Sequence, residues 1–317
     1  MRKRTSVRVR TARPATRRAR STNVRSVVAG MRGEVRFKEP LSEWTSFRIG
    51  GPADALVLPS DVDDVAQLVR RARAARVRIF VIGGTNLLVR DGGIRGIVLS
   101  LAKMTTIKDE GHGVLYAEGG AGMPSLIKYA ITRSLSGLEW SAGIPGTVAG
   151  CAVMNAGTRL GEMKDVLRAV RMVDPYGRIM DVPATSIKFG YRRTVMPRGI
   201  VVGVWLQLRS GVRSAIESIV KEYLRYRRDT QPLALPNAGC VFKNPKPETA
   251  GQLIESVGLK GAQVGDAQVS EKHANFIINR GHAQAADVLS LIRKIGETVK
   301  QRTGITLELE LKVVGEG

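Results

Sequence analysis

Two glycine-rich segments of this 317-residue chain have the composition of backbone that lies against a bound ligand. The first, Gly83-Gly84-Thr85-Asn86, directly follows an apolar run at residues 77–82 that predicts a buried strand. At such a junction a phosphate or a ring can approach the backbone closely. The second, WSAGIPGTVAGCAVMNAGTRLG (residues 140–161), contains five glycines, too many for a packed helix or a central strand. A large planar ligand with a pyrophosphate would explain the second segment, and a set of tight turns is the alternative.

The two cysteines, Cys151 and Cys240, lie far apart in the chain and have no CxxC partner or companion histidine. This spacing argues against a disulfide scaffold and against a thiolate zinc site, so we expect no metal. Cys151 lies among small residues, which favours a buried structural role. A reducing cytoplasm is consistent with this use of cysteine.

The elements that must hold these segments fall into three units after a basic tail at residues 1–33. Residues 34–101 predict a strand at 55–59, a helix at 61–76 capped by Ser60 or Asp61, and the strand at 77–82. Residues 102–211 predict short strands and turns with one helix at 123–134. Residues 212–317 predict helices at 214–230, 249–257 and 283–301, and strands at 274–278 and 306–314.

The charge of the chain is uneven, because residues 1–32 contain eleven Lys or Arg and no acid, half of the net charge of +22. This tail has few large apolar residues and no periodic pattern, so we expect it to be disordered. An over-called start codon, with translation beginning at Met31, is one explanation, and a basic arm that contacts RNA or anionic lipid is another. No apolar run approaches the ~18 residues that a membrane-spanning helix needs.

The order of several motifs is more specific than any one of them. The motifs are WTSFRIGGPADALVLPSD (44–61), VIGGTNLLVRDGG (81–93), GIPGTVAGCAVMNAG (143–157), FGYRRT (189–194), NAGCVFKNP (237–245), AGQLIESVGLKGAQVGDAQVSEKHANFIIN (250–279) and LELELKVVG (307–315). This arrangement closely resembles the UDP-N-acetylenolpyruvoylglucosamine reductase family over residues 41–315. Within that family the chain resembles the shorter subgroup that lacks a tyrosine-bearing insertion.

The resemblance implies an α+β fold: a two-subdomain FAD-binding unit of the vanillyl-alcohol-oxidase-like type, followed by a C-terminal α+β substrate domain. It also implies a flavoenzyme that uses bound FAD and NADPH to reduce UDP-N-acetylglucosamine enolpyruvate to UDP-N-acetylmuramate for peptidoglycan synthesis. We expect a cytoplasmic monomer that requires no nucleic acid and inserts into no membrane.

Three residues match the catalytic positions of the family. Arg192 in FGYRRT matches the catalytic arginine, whose planar fork suits a carboxylate that becomes an enolate. Glu310 matches the carboxylate that stabilises or helps protonate the intermediate, and the LELELK alternation predicts Glu308 and Glu310 on one strand face. Cys240 stands where relatives more often carry a serine proton donor, and a thiol of reference pKa ~8.5 is mostly protonated at neutral pH. The substitution also predicts a liability to alkylation.

Further positions match the family's binding residues. For the cofactor these are Gly83, Gly84, Thr85, Asn86, Leu87, Gly120, Gly143, Ile144, Pro145, Gly146, Thr147 and Gly150. For the substrate they are Tyr191, Lys243, Asn244, Lys260, Gln263 and His273. Ile82 departs from the family, which more often has glycine there.

Two other functions stay open at this stage. Another FAD-dependent oxidoreductase of the same fold could act on a different substrate, such as an alcohol or a sugar. A basic RNA-binding protein is the reading from charge alone. The lack of a known nucleic-acid motif, the aromatic content of 5% and the concentration of charge in the tail argue against it.

Overall fold

The computed structural model of the protein describes residues 17–83 and 85–317, in a mixed arrangement of helices and sheets. The helices are α1 (Arg17–Val28), α2 (Val62–Ala74), α3 (Met123–Thr132), α4 (Val148–Met154), α5 (Arg213–Thr230), α6 (Ala250–Ser256) and α7 (Ala285–Thr303). The strands of the first part are β1 (Glu34–Phe37), β2 (Ala53–Leu58), β3 (Ile79–Ile82), β4 (Leu87–Val89), β5 (Ile94–Ser100), β6 (Ile107–Asp109), β7 (Val114–Glu118), β8 (Leu135–Ser136), β9 (Gly157–Thr158) and β10 (Gly161–Glu162). Those that follow are β11 (Leu167–Val173), β12 (Ile179–Pro183), β13 (Lys188–Gly190), β14 (Arg193–Val195), β15 (Ile200–Gln207), β16 (Arg209–Ser210), β17 (Asn237–Cys240), β18 (Gln263–Val264), β19 (Ala267–Val269), β20 (Phe276–Asn279) and β21 (Lys312–Val314).

The first sheet has the order β1-β2-β5-β3, in which β5 runs parallel to both β2 and β3. Helix α2 connects β2 to β3 and buries Val65 and Leu68, which lie on one face because they are three residues apart. Asp61 caps this helix by accepting a hydrogen bond from the Asp64 amide, one of the two predicted caps. Strand β3 ends at Ile82, so the first glycine-rich loop begins at the end of this strand.

The second sheet has the order β12-β11-β15-β7-β6 and is antiparallel throughout. Helix α4 packs beside it and contains Gly150, so the expectation that glycine density excludes a helix here is wrong for residues 148–154. The reason is close packing, because a Cβ on Gly150 would lie 3.2 Å from the Gly83 carbonyl oxygen. Glycine lets the helix approach the loop, at a cost in propensity that tertiary contact offsets.

The third sheet has the order β17-β20-β19-β18, and α6 and α7 cover it to form a second hydrophobic core. The first core includes residues from the first two sheets together with Val220 and Tyr223 of α5. Helix α5 falls in the predicted third unit (residues 212–317), whereas these two side chains pack on the first core. The boundaries predicted at residues 101 and 211 stay predictions.

The basic tail is not disordered over its whole length. Helix α1 is formed, and its Val24, Val27 and Val28 are buried in the first core at 3–4% exposure. Three valines at i, i+3 and i+4 supply a narrow apolar stripe that the arginine-rich composition concealed. Residues 1–16 lie outside the described part of the chain.

The strand predicted at residues 306–314 is also shorter than expected. Only β21 (Lys312–Val314) is regular, and it runs parallel to β4 of the first unit. Residues 308–311 instead contact the β17 end of the third unit, through a bridge between Leu309 and Phe242 and a bond from the Glu310 amide to the Val241 carbonyl. Within residues 17–83 and 85–317, no helix has both the length and the apolar character to span a bilayer.

Candidate active site

A cavity of about 470 Å³ is lined by residues from all three predicted units. One wall is glycine-rich backbone, a second comes from α5, and a third comes from β17 and the segment before β21. Its size lies in the range of small-molecule and cofactor sites.

The glycine wall joins the two segments that sequence analysis singled out. The Gly83 carbonyl accepts hydrogen bonds from the amide of Thr147 at 3.2 Å and from its Oγ1 at 3.1 Å. Gly146 has φ = +103°, a conformation that side-chain-bearing residues rarely adopt. The two loops therefore form one continuous backbone surface with few side chains, against which a flat ligand can lie.

Most of the predicted cofactor residues line this cavity, namely Gly83, Thr85, Asn86, Ile144, Pro145, Gly146, Thr147 and Gly150. Gly84 lies outside the described residues. Leu87 is buried in β4 and Gly120 packs against the Leu101 carbonyl, so neither lines it. Gly143 also lies outside the lining, and the space where its Cβ would be is filled by Arg227, whose Cδ is 3.1 Å away.

Arg192 and Glu310 form an ion pair in the cavity, with Arg192 Nε 3.2 Å from Glu310 Oε1 and side-chain exposures of 25% and 12%. Arg192 lies in the turn between β13 and β14 with φ = 53°, a left-handed conformation unusual for arginine. The backbone holds Glu310 from two sides, since its amide donates to Val241 and its carbonyl accepts from Asn86 Nδ2 at 2.9 Å. Burial raises the pKa of Glu310, and Arg192 opposes that rise.

Cys240 ends β17 and lines the same cavity. Burial, followed by the nearby Glu310 carboxylate, raises the pKa of its thiol to about 12, against the opposing effect of Arg192 and Arg227. The group stays a protonated thiol at neutral pH. The predicted liability to alkylation is correspondingly reduced, because the thiolate is the reactive form. Cys151 also lines the cavity, and burial raises its pKa to about 12.

The two acids of LELELK differ in environment, contrary to the expectation of one shared strand face. Glu308 is 73% exposed and pairs with Lys243, while Glu310 is turned into the cavity. The irregular backbone of residues 305–311 breaks the alternation that a regular strand would impose.

Of the six predicted substrate residues, Asn244 lines the cavity, and its Oδ1 accepts from the Ala250 amide at the start of α6. Tyr191 is 57% exposed beside Arg192. Lys260 pairs with Glu255, and Gln263 bonds to the Gly265 carbonyl. The His273 ring lies 4.8 Å from that of Phe276, a cavity residue, in a tilted arrangement, and burial lowers the pKa of His273. Lys243 and these last four do not line the cavity.

Arg227 of α5 is a cavity residue that sequence analysis missed. Its Nε is buried without a hydrogen-bond partner among the described residues, and burial lowers the pKa of the guanidinium. Asn86 and Gln231, which also line the cavity, each have a buried side-chain oxygen with no hydrogen-bond partner in the described part of the chain. Unpaired buried polar atoms are rare, so three around one cavity indicate a polar ligand. The sequence did not distinguish Arg227 from the other basic residues of α5.

Comparison with known proteins yields two matching family models. Residues 53–183 match the FAD binding domain, and residues 231–314 match the UDP-N-acetylenolpyruvoylglucosamine reductase C-terminal domain. A UDP-N-acetylenolpyruvoylglucosamine reductase of Heliobacterium modesticaldum is 43% identical over 92% of this chain and 94% of its own length. One from Moorella thermoacetica is 45% identical over 91% of this chain and 96% of its own. The crystal structure of the Thermus caldophilus enzyme superposes with a TM-score of 0.76 at 36% identity, covering 89% of this chain and 99% of that one.

Proposed function

The chain belongs to the UDP-N-acetylenolpyruvoylglucosamine reductase family, and we propose that it carries out the reaction of that name. It reduces UDP-N-acetylglucosamine enolpyruvate to UDP-N-acetylmuramate in peptidoglycan precursor synthesis, with FAD as bound cofactor and NADPH as reductant. The observation that carries this proposal is one cavity lined by the Arg192–Glu310 pair, by Cys240 and by glycine-rich backbone.

The cavity residues fit FAD. Backbone at Gly83, Gly146 and Gly150 leaves a wall free of bulky side chains, which a flat ring system needs. The unpaired Asn86 Oδ1 and Gln231 Oε1 can accept hydrogen bonds from N–H or O–H groups of the cofactor. The unpaired Nε of Arg227 can donate to an anionic oxygen such as those of the pyrophosphate. When bound there, FAD supplies the hydride that saturates the substrate double bond.

Arg192 binds the substrate carboxylate and stabilises the negative charge that spreads onto it as the enolate forms. A guanidinium can make two parallel hydrogen bonds to a carboxylate, and these strengthen as charge develops. Glu310 accepts from Nε of Arg192, so the terminal nitrogens of the guanidinium can face the substrate. The carboxylate thereby fixes the orientation of the arginine in a partly dehydrated site.

Cys240 donates the proton that completes the reaction at the substrate carbon. Its raised pKa keeps the proton on sulfur until an enolate, a far stronger base than water, is present. The neighbouring positive charges of Arg192 and Arg227 then stabilise the thiolate that remains.

Arg227 binds an anionic oxygen of a cavity ligand, and Asn244 holds the substrate with it. Tyr191, Lys243, Lys260, Gln263 and His273 lie outside the cavity and act at its approaches, where the nucleotide part of the substrate would extend. We place the enzyme in the cytoplasm as a monomer, which size-exclusion chromatography with light scattering would check.

A two-step anaerobic experiment tests the function. Purified protein should show the visible absorbance of bound flavin, NADPH should bleach it, and the enolpyruvyl nucleotide should restore it with formation of UDP-N-acetylmuramate. If the nucleotide does not restore the colour but oxygen with an alcohol or sugar donor supports turnover, the chain is an oxidase of the same fold.

A further inference from the structure

Arg192 lies at the tip of a small hairpin formed by β13 and β14, with Gly190 paired to Arg193 across the turn. The tip is exposed, as Tyr191 at 57% shows. A left-handed arginine persists only where surrounding structure holds it, since the side chain disfavours that backbone conformation. Two strands of three residues supply little of that restraint themselves.

The restraint comes from the end of α4. Two residues before Arg192, the Gly190 carbonyl accepts a hydrogen bond from Asn155 Nδ2 at 3.2 Å. Two residues after it, Thr194 Oγ1 donates to the Val153 carbonyl at 2.7 Å. The hairpin is therefore attached to the same turn of helix on both sides of the arginine.

The Asn155 side chain is held in one orientation by its own contacts. Asn155 is fully buried, ends α4 in the left-handed conformation at φ = 43°, and uses its whole side chain. Nδ2 also donates to Glu162 Oε2 at 2.7 Å, and Oδ1 accepts from the Lys164 amide at 3.0 Å. Both amide hydrogens are thus committed, and no rotation of the carboxamide would preserve these bonds.

We propose that Asn155 and Thr194 are positioning residues for Arg192, holding its guanidinium against Glu310 and in place for the substrate carboxylate. This inference rests on the proposed function. The same helix lines the cavity with Thr147, Gly150, Cys151 and Met154, so α4 connects the glycine wall to the catalytic hairpin as one rigid piece.

The primary test is Thr194→Val, which removes the donor and keeps the shape. Reduction of bound flavin by NADPH should proceed at the wild-type rate, while reoxidation by the enolpyruvyl nucleotide should slow by roughly 10- to 100-fold, the scale of a misplaced catalytic group. Thr194→Ser, which keeps the hydroxyl, should restore most of the rate. Thr132→Val is the matched control, because its Oγ1 bonds only locally, donating to the Tyr129 carbonyl and accepting from Arg133 at the end of α3; it should match wild type in both steps. Asn155→Gly, which tolerates the left-handed backbone, should show the same selective loss of reoxidation. It should also melt at a lower temperature than Thr194→Val, because Glu162 Oε2 and the Lys164 amide lose a partner.

A double-mutant cycle separates positioning from general support. In an Arg192→Ala background, Thr194→Val should have no further effect on reoxidation, because the group it positions is gone. Multiplicative effects, or an equal loss in NADPH reduction and in melting temperature, would show a merely structural role and overturn the inference. If wild type reacts with the nucleotide and Thr194→Val reacts equally fast, the positioning role alone is refuted. A wild type that does not react refutes the proposed function as well.

Discussion

At the scale of single residues, environment rather than residue type decides what each side chain can do. Both Glu310 and Cys240 have a raised pKa because burial disfavours their charged forms, and each is near a guanidinium that opposes the rise. Sequence motifs predicted that Arg192, Cys240 and Glu310 belong to one site, and they do line one cavity. The motifs could not predict that Arg227 lines the cavity, because its burial and its unpaired Nε result from how the chain packs.

Replacing Cys240 tests proton donation. Cys240→Ala should leave NADPH reduction of the flavin at its ordinary rate and slow the substrate half-reaction by about 10² to 10⁴, the usual contribution of a positioned general acid. Cys240→Ser should recover much of that loss. Rapid-mixing absorbance measures both steps, and unchanged reoxidation in the alanine variant would assign the proton to another group.

Arg227→Met separates ligand binding from folding. The methionine keeps much of the volume but removes a buried guanidinium whose Nε lacks a partner, so the free protein should melt at the same or a higher temperature. Ligand affinity should fall by about 2 kcal/mol, the scale of one charge-assisted hydrogen bond. A lower flavin content would show weaker binding of the cofactor, and a higher KM for the nucleotide would show weaker binding of the substrate. A lower melting temperature with both affinities unchanged would make Arg227 structural.

Glu310→Gln should remove a pH dependence of stability. Burial raises the pKa of the folded-state carboxyl above its ordinary value of about 4.5, so the protonated form is favoured by folding. Wild type therefore loses stability relative to the glutamine variant as pH rises from about 4.5 through the folded pKa. Melting curves across pH measure it. The opposite trend, with wild type gaining on the variant as pH rises, would mean that the Arg192 pair outweighs desolvation.

At the scale of elements, periodicity predicted the helices well and the strands less well. Helices α2, α5 and α7 begin and end within three residues of their predicted bounds, because their apolar stripes recur at helical spacing. The LELELK alternation misled, since residues 305–311 are not a regular strand and only β21 pairs regularly. Helix α4 was missed because its glycine is explained only by the Gly83 loop that packs on it.

The pairing of β21 with β4 should matter for catalysis. Lys312→Pro removes the amide that donates to the Asn86 carbonyl at 3.2 Å, next to the Asn86 side chain that holds Glu310. Lys312→Ala is the matched control, because the lysine side chain is exposed and the amide is retained. The proline variant should lose about 1 kcal/mol or more of stability and most of its turnover. Equal activity of the two variants would show that the pairing of β21 with β4 does not affect the active site.

At the scale of the whole molecule, two cores meet at the cavity and α1 closes the outer side of the first. Composition predicted the tail as disordered because its charge dominates any average, yet three valines suffice to bury one face of a short helix. Sequence alone could not show the surface on which α1 packs, which is formed by α2, β2 and β5.

Val27→Asp tests that α1 belongs to the core. Placing a carboxylate at a position 3% exposed should lower the free energy of unfolding by about 2 to 4 kcal/mol. Ser26→Asp, at an exposed neighbour in the same helix, is the control and should leave it nearly unchanged. Chemical denaturation measures both, and equal stability of the two variants would show that the helix detaches freely in solution.

The bond from Asn86 to the Glu310 carbonyl joins residues 224 positions apart in the chain. During synthesis at about 5–20 residues per second, the glycine loop leaves the ribosome many seconds before the residues that complete its wall. The first two units can gather their core in that interval, but the carboxylate that orients Arg192 is translated only after them. A nascent chain could therefore acquire its fold gradually while its activity is switched on in one late step, and a stalled or prematurely terminated chain would be inactive.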